Sequence, residues 1–202
     1  KYITIFENQI TKLYEKYKKD EITKAELSKQ VNSVLKKEED QFNGLFLKKF
    51  CLDEQNLLEQ ITSNLISKIS RTREIEKQRG KLPEGDLQKN IETAFRSGFY
   101  MHFRDVMNFN GNKYKISLPK KIANYYFIRE FCYGSMFRFN KSGHFNIPYG
   151  GIAYNTKDFR GKVDSIFSDE VKNLFKNTVI KNQDFEKIFN GYQFSKNDFM
   201  FL

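Results

Sequence analysis

Apolar residues recur at helical spacing along most of the chain. Ile3, Phe6, Ile10, Leu13, Tyr14 and Tyr17 share one face of a helix predicted over 3–19. Thr23 and Glu26 stand three apart ahead of Leu27, Val31, Val34 and Leu35, the spacing of a reciprocal cap opening a second helix. Phe42-Asn43-Gly44 breaks that helix. Asp53 opens a long helix with Leu58, Ile61, Leu65 and Ile69 on one stripe, and its later part, Lys68 to Lys81, turns basic. A further helix over 86–107 carries Ile91, Phe95, Phe99, His102, Phe103 and Val106 on its apolar side. Lys113 to Ile116 reads as a short strand. Ser117 and Pro119 mark the start of a helix that runs to about Tyr133.

Beyond Tyr133 the period shortens to two. Arg138-Phe139-Asn140 reads as a strand, Lys141-Ser142-Gly143 as a turn in which Gly143 supplies positive φ, and His144 to Ile147 as the return strand. Pro148, with no N–H to donate, ends the ladder, so a β-hairpin is predicted over 137–149. Gly150-Gly151 lets the backbone turn or approach another surface closely. Ser168 caps a helix through Phe175, Thr178-Val179-Ile180 reads as a strand, Asp184 to Asn190 as a helix and Phe199 to Leu202 as a second strand. Strand, helix and strand in that order predict a βαβ unit. The pattern therefore predicts a mainly helical region over 1–175, followed over 176–202 by part of an α/β sheet. The apolar run at Leu202 and the start at Lys1 are what an internal piece of a longer protein would show.

Charge sharpens this picture. The net charge is +10, and between Pro119 and Lys162 eight basic residues face two acidic ones. Such a field suits a polyanionic partner, and a lysine-rich composition gives it equally. Cys51 and Cys132 lack metal-ligand spacing and point to a reducing, cytoplasmic compartment. His102 and His144 are too isolated for a metal site, so no metal is expected. No apolar run reaches membrane-spanning length, and no membrane partner is expected.

Several words in the last eighty or so residues carry a family likeness: Arg138-Phe-Asn140, Gly143-x-Phe145-Asn146-Ile-Pro148-Tyr-Gly150, Tyr154-Asn155 and Asn182-x-Asp184-Phe185. In this order they resemble the D12 class of adenine-N6 DNA methyltransferases, the group that includes the GATC-modifying adenine methylases. The resemblance implies a helical target-recognition region joined to a class I, Rossmann-like methyltransferase sheet. It also implies S-adenosylmethionine as methyl donor, double-stranded DNA as partner and a flipped adenine as target. A restriction–modification setting with a cognate endonuclease is in keeping with it. The chain lacks the family's F-x-G-x-G cofactor loop and its Asp-Pro-Pro-Tyr tetrapeptide, so no catalytic residue is assigned within it. A non-catalytic DNA-binding or specificity module is the alternative.

The resemblance gives Arg138 the role of reading a guanine edge, for which a guanidinium fork is suited; a phosphate-binding or structural arginine is the competing reading. Tyr133 and Met136 match positions of an apolar wedge beside the flipped base, or they close the preceding helix. Pro148 matches a base-edge contact or simply ends the strand. Asn140 lies beside Arg138 in the same DNA-facing stretch. Lys141, Lys157, Arg160 and Lys162 read as phosphate contacts or as a solvated loop. Asp184 and Phe185 match the pair flanking the cofactor's adenine, and Asp184 reads equally as a helix cap. The aromatics Tyr125, Tyr126, Phe127 and Phe131 read as core rather than as a stacking platform.

Overall fold

The computed structural model describes residues 2–37, 44–199 and 201, and Phe42-Asn43, read as a helix break, lie outside them. It divides into two compact units, Lys1–Lys157 and Asp158–Leu202.

The first unit is built on helices α1 (Tyr2–Lys18), α2 (Lys24–Lys37), α3 (Lys48–Cys51), α4 (Glu54–Arg79), α5 (Asp86–Asn108) and α6 (Leu118–Phe131). The starts of α2 and α4 carry the predicted caps, whereas Ser117, expected to cap α6, stands at its N-cap position without a side-chain hydrogen bond. The Thr23 amide and hydroxyl both donate to Glu26 Oε2, at 2.7 and 2.8 Å, and Glu26 N donates back to Thr23 Oγ1 at 3.2 Å. Asp53 Oδ1 accepts from Asn56 N at 2.9 Å, satisfying one of the amides that a helix start leaves open. Phe6, Ile10 and Leu13 of α1, Leu27, Val31 and Leu35 of α2, Leu57, Ile61 and Leu65 of α4, and Ile91 and Phe95 of α5 form one buried core. Gly98 sets how close α5 comes to α4: a Cβ there would stand 2.4 Å from Ile61 Cα and 2.7 Å from Gln60 O.

Polar groups tie the helices together. Burial alone would raise the Glu76 pKa, but Lys18 Nζ at 2.6 Å, the Tyr14 hydroxyl and the Leu82 N–H hold its carboxylate down to about 2. Part of the basic run on α4 is spent in the same way: the Arg73 guanidinium lies 4.4 Å from the Tyr17 ring centre and pairs with Asp20. His102 is fully buried, with Nδ1 2.7 Å from Asn56 Oδ1 and Nε2 2.7 Å from Cys51 O. Burial lowers its pKa, so it acts as a neutral internal link between α5 and the chain around α3 and α4.

The expected β-structure is not formed. Among the described residues there is no strand and no sheet, only three isolated bridges, and the fold is mostly helical. The predicted β-hairpin over 137–149 is instead an irregular loop. Its root is a bridge between Cys132 and Tyr149 and its tip a bridge between Phe139 and Phe145. Residues 133–138 on the outgoing arm face only 146–148 on the return arm, so the register of one bridge cannot continue into the other. The excess is taken up by a 3-10 turn over Tyr133–Ser135, where Gly134 and Ser135 both have positive φ. Of the segment read as a strand at Lys113 to Ile116, Lys113 and Tyr114 belong to a turn closed by a bridge from Asn110 to Tyr114, and Lys115 and Ile116 form no strand.

The second unit holds α7 (Phe159–Ile166), α8 (Asp169–Lys176) and α9 (Phe185–Asn190). Ser168 caps α8 as predicted, accepting from Val171 N at 3.3 Å. No Rossmann-like sheet and no βαβ unit is present among its described residues: 178–180 forms no strand, and Val179 and Ile180 are 80% and 77% exposed. The described residues of the second predicted strand, Phe199 and Phe201, are exposed as well. An apolar run makes a strand only when another strand supplies its backbone partners, and none is present among the described residues. No helix among the described residues is long and apolar enough to cross a membrane.

Candidate nucleic-acid interface

The loop rooted at 132 and 149 presents a short basic and aromatic tip. Phe137, Phe139 and Phe145 pack on one another, with ring centres 4.6 Å apart for Phe137–Phe145 and 5.8 Å for the other two pairs. Phe145 points inward and is buried, whereas Phe137 and Phe139 are exposed. Tyr125 of α6 adds its ring to Phe137 at 5.0 Å. Arg138 stands between the two exposed phenylalanines, itself exposed, and forms no ion pair with any described carboxylate. Lys141 is exposed at the turn that follows.

Asn140 holds that turn. Its Oδ1 accepts from Ser142 N at 3.0 Å and from His144 N at 2.9 Å, while its own amide donates to His144 O at 2.8 Å. Gly143 takes the expected positive φ of 75°. The His144 ring lies 4.9 Å from that of Phe109, just past the end of α5.

Tyr133 and Met136 bracket the turn at the start of the outgoing arm, and both are exposed. This turn is braced from below. Gly134 N donates to the Tyr154 hydroxyl at 3.0 Å, and Lys157 Nζ lies 3.8 Å from the Tyr154 ring centre while donating to Glu130 O at 2.6 Å. The Lys157 ammonium is thus engaged within the protein. Pro148 is exposed, and its carbonyl accepts from Tyr133 N at 2.9 Å at the loop root. Cys132 is fully buried at that root, and burial raises its pKa. Tyr149 is also buried, which pushes its phenol up to about 12; its hydroxyl donates to Asn155 Oδ1 at 3.0 Å, and Asn155 Nδ2 donates to Thr93 Oγ1 on α5 at 2.9 Å. Of the aromatics of α6, Phe131 is buried, Tyr126 and Phe127 are half-buried and Tyr125 is exposed.

The structure therefore brings Tyr133, Met136, Arg138, Asn140, Lys141, Pro148 and Lys157 together on or under one loop. Arg160, Asp184 and Phe185 belong to the second unit. Arg160 is exposed and 3.8 Å from Asp164 Oδ2. Asp184 caps α9, its Oδ1 accepting from Glu186 N at 2.9 Å, and Phe185 is 61% exposed. No group of acidic, histidine and cysteine side chains suited to a metal occurs among the described residues. Sequence reasoning missed the residues beneath the loop, Asn108, Tyr100 and Thr93, because their partners are distant in sequence.

The chain is 38% identical over 80 residues to the type II methyltransferase M.CviBI of Paramecium bursaria Chlorella virus NC1A, a stretch that is 40% of this chain and 28% of that protein. It is 37% identical over 101 residues to the type II methyltransferase M.MjaIII of Methanocaldococcus jannaschii, or 48% of this chain and 31% of that protein. The chain spans less than a third of the length of these curated relatives. No family model matches the chain, and no solved structure matches it. Over nearly half of its length, then, the chain is similar to type II methyltransferases.

Proposed function

We propose that the chain is the target-recognition part of a sequence-specific DNA adenine-N6 methyltransferase of the D12 class, working in a restriction–modification system beside a cognate endonuclease. The observation that carries this reading is Arg138: an exposed guanidinium, unpaired with any described carboxylate, set between two exposed aromatic rings on a braced loop. The motif resemblance and the similarity to two type II methyltransferases support it.

In this reading double-stranded DNA docks on the loop through Lys141, which contacts a phosphate and carries no sequence information, and Arg160 of the second unit is by itself a candidate phosphate contact. Arg138 donates two parallel hydrogen bonds to O6 and N7 of a guanine in the major groove. Asn140 keeps the tip in shape and presents its remaining amide hydrogens to the same groove. Pro148 packs on a neighbouring base edge. Tyr133 and Met136 stand on a turn bent by two positive-φ residues, and they enter the stack beside the target so that the adenine leaves it at lower cost. Lys157 acts from below, by fixing Tyr154.

S-adenosylmethionine would supply an electrophilic methyl group. Asp184 and Phe185 suit one edge of its adenine pocket: Asp184 keeps one carboxylate oxygen outside the capping bond, and Phe185 offers an exposed ring. The family's remaining cofactor and catalytic motifs are absent from these residues, so the methyl-transfer step needs groups that this chain does not hold.

The test is selection from a pool of duplexes carrying randomised base pairs. The wild-type chain should enrich a motif with a fixed G·C pair. Arg138→Ala should relax that one position by about 10- to 100-fold. Equal weakening on all sequences would refute base reading by Arg138.

A further inference from the structure

The return arm of the loop buries Phe145 and Ile147, each 1% exposed, yet its backbone pairs with the outgoing arm only through its neighbours at the tip and the root, and among the described residues no main-chain group bonds the backbone of Phe145 or Ile147. Backbone groups in a buried arm need partners. One face of α5 supplies them. Asn108 Oδ1 accepts from Phe145 N at 2.8 Å, and Asn108 Nδ2 donates to Phe145 O at 3.0 Å. A side-chain amide thereby repeats the donor and acceptor that a facing strand residue would offer. The Tyr100 hydroxyl donates to Ile147 O at 3.1 Å, and Arg104 Nη1 donates to the same oxygen at 3.4 Å. Burial raises the Tyr100 pKa, so its hydroxyl keeps the proton it donates. Residues 100, 104 and 108 are spaced by four and lie one above the other along the helix. That helix is itself seated against α4 at Gly98, with no room for a Cβ.

We infer that Tyr100, Arg104 and Asn108 are positioning residues for DNA recognition: they replace a missing strand, fix the return arm, and so set where the loop tip carries Arg138. This rests on the DNA-reading proposal above. A bidentate contact to a base edge tolerates little displacement, so a supporting shell of this kind decides whether it forms. Releasing the return arm shifts every contact the tip makes, whereas removing Arg138 removes one. The two losses have different signatures.

The experiment compares the full 202-residue chain with its Asn108→Ala, Asn108→Asp and Arg138→Ala variants, by amide hydrogen exchange and by selection from the randomised duplex pool. In Asn108→Ala the Phe145 amide should exchange about tenfold faster or more, while buried amides of α1, α2 and α4 keep their protection. Sequence preference should fall about tenfold at every position read by the tip, with an unchanged salt dependence, since no phosphate contact is lost. Asn108→Asp keeps the acceptor for Phe145 N and loses the donor to Phe145 O, so it should fall between the two. It carries the test if the alanine variant does not fold. Unchanged protection at Phe145 overturns the inference, as does full discrimination retained after that protection is lost. Loss confined to the single position lost in Arg138→Ala overturns it too. A wild-type chain that selects no sequence takes down the DNA-reading proposal, and this inference falls with it.

Discussion

The loop over 132–149 and the tail over 178–199 are alike in composition and unlike in structure. Both are rich in aromatics, and both carry patterns that predict strands, alternation in the loop and short apolar runs in the tail. The loop is bridged at its root and its tip and buries Phe145, Ile147 and Tyr149. The tail leaves Val179, Ile180, Phe185, Tyr192, Phe194 and Phe199 exposed, and its described ring contacts join near neighbours, as in Phe189–Phe194 at 5.5 Å and Tyr192–Phe194 at 4.8 Å. The difference lies in the supply of backbone partners. Side chains of α5 stand where a neighbouring strand would, and the tail has no equivalent among its described residues.

That contrast can be broken by substitution. The largest effect should come from Phe145→Ala, which empties the buried centre of the loop and should cost about 3–5 kcal/mol in urea unfolding followed by helical circular dichroism. Next is acid. The Glu76 pKa is held down to about 2 against an ordinary 4.5. Its contribution is therefore complete above the unfolded value and is lost as pH falls toward 2, on the order of 3 kcal/mol. Glu76→Gln should flatten that part of the stability–pH curve. Gly98→Ala should cost about 1–3 kcal/mol, because α5 must move off α4 and take the loop's support with it. Tyr154→Phe removes the acceptor for Gly134 N and should cost about 1 kcal/mol, with faster exchange at that amide. The smallest effect should be Ile180→Ala, within about 0.5 kcal/mol. A larger loss there would mean that the tail is packed, and the contrast would fail.

The same contrast explains what could be read in the sequence. Helix starts were legible because their signals are local: Thr23 with Glu26, Asp53 with Asn56, Ser168 with Val171. The buried stripes of α1, α2, α4 and α5 follow from spacing alone, and so does the turn at Gly143. The predicted strands do not form because alternation, or a short apolar run, says which residues can be buried and not whether a partner strand exists. The loop's kink depends on Gly134 and Ser135 both taking positive φ, which no pattern in that stretch announces. Arg138 is exposed and forms no ion pair with any described carboxylate, while Asn108 is linked to Phe145 across 37 residues and left no signal near the loop.

Cys132 gives the molecule a thiol at the point where the loop leaves α6, shielded from solvent, its Sγ 3.2 Å from Arg129 O and 3.4 Å from Met136 O. An alkylating reagent can reach that sulfur only when the root parts. Its labelling rate is therefore a clock for how often the loop lifts away from its support, written into the chain without any added probe.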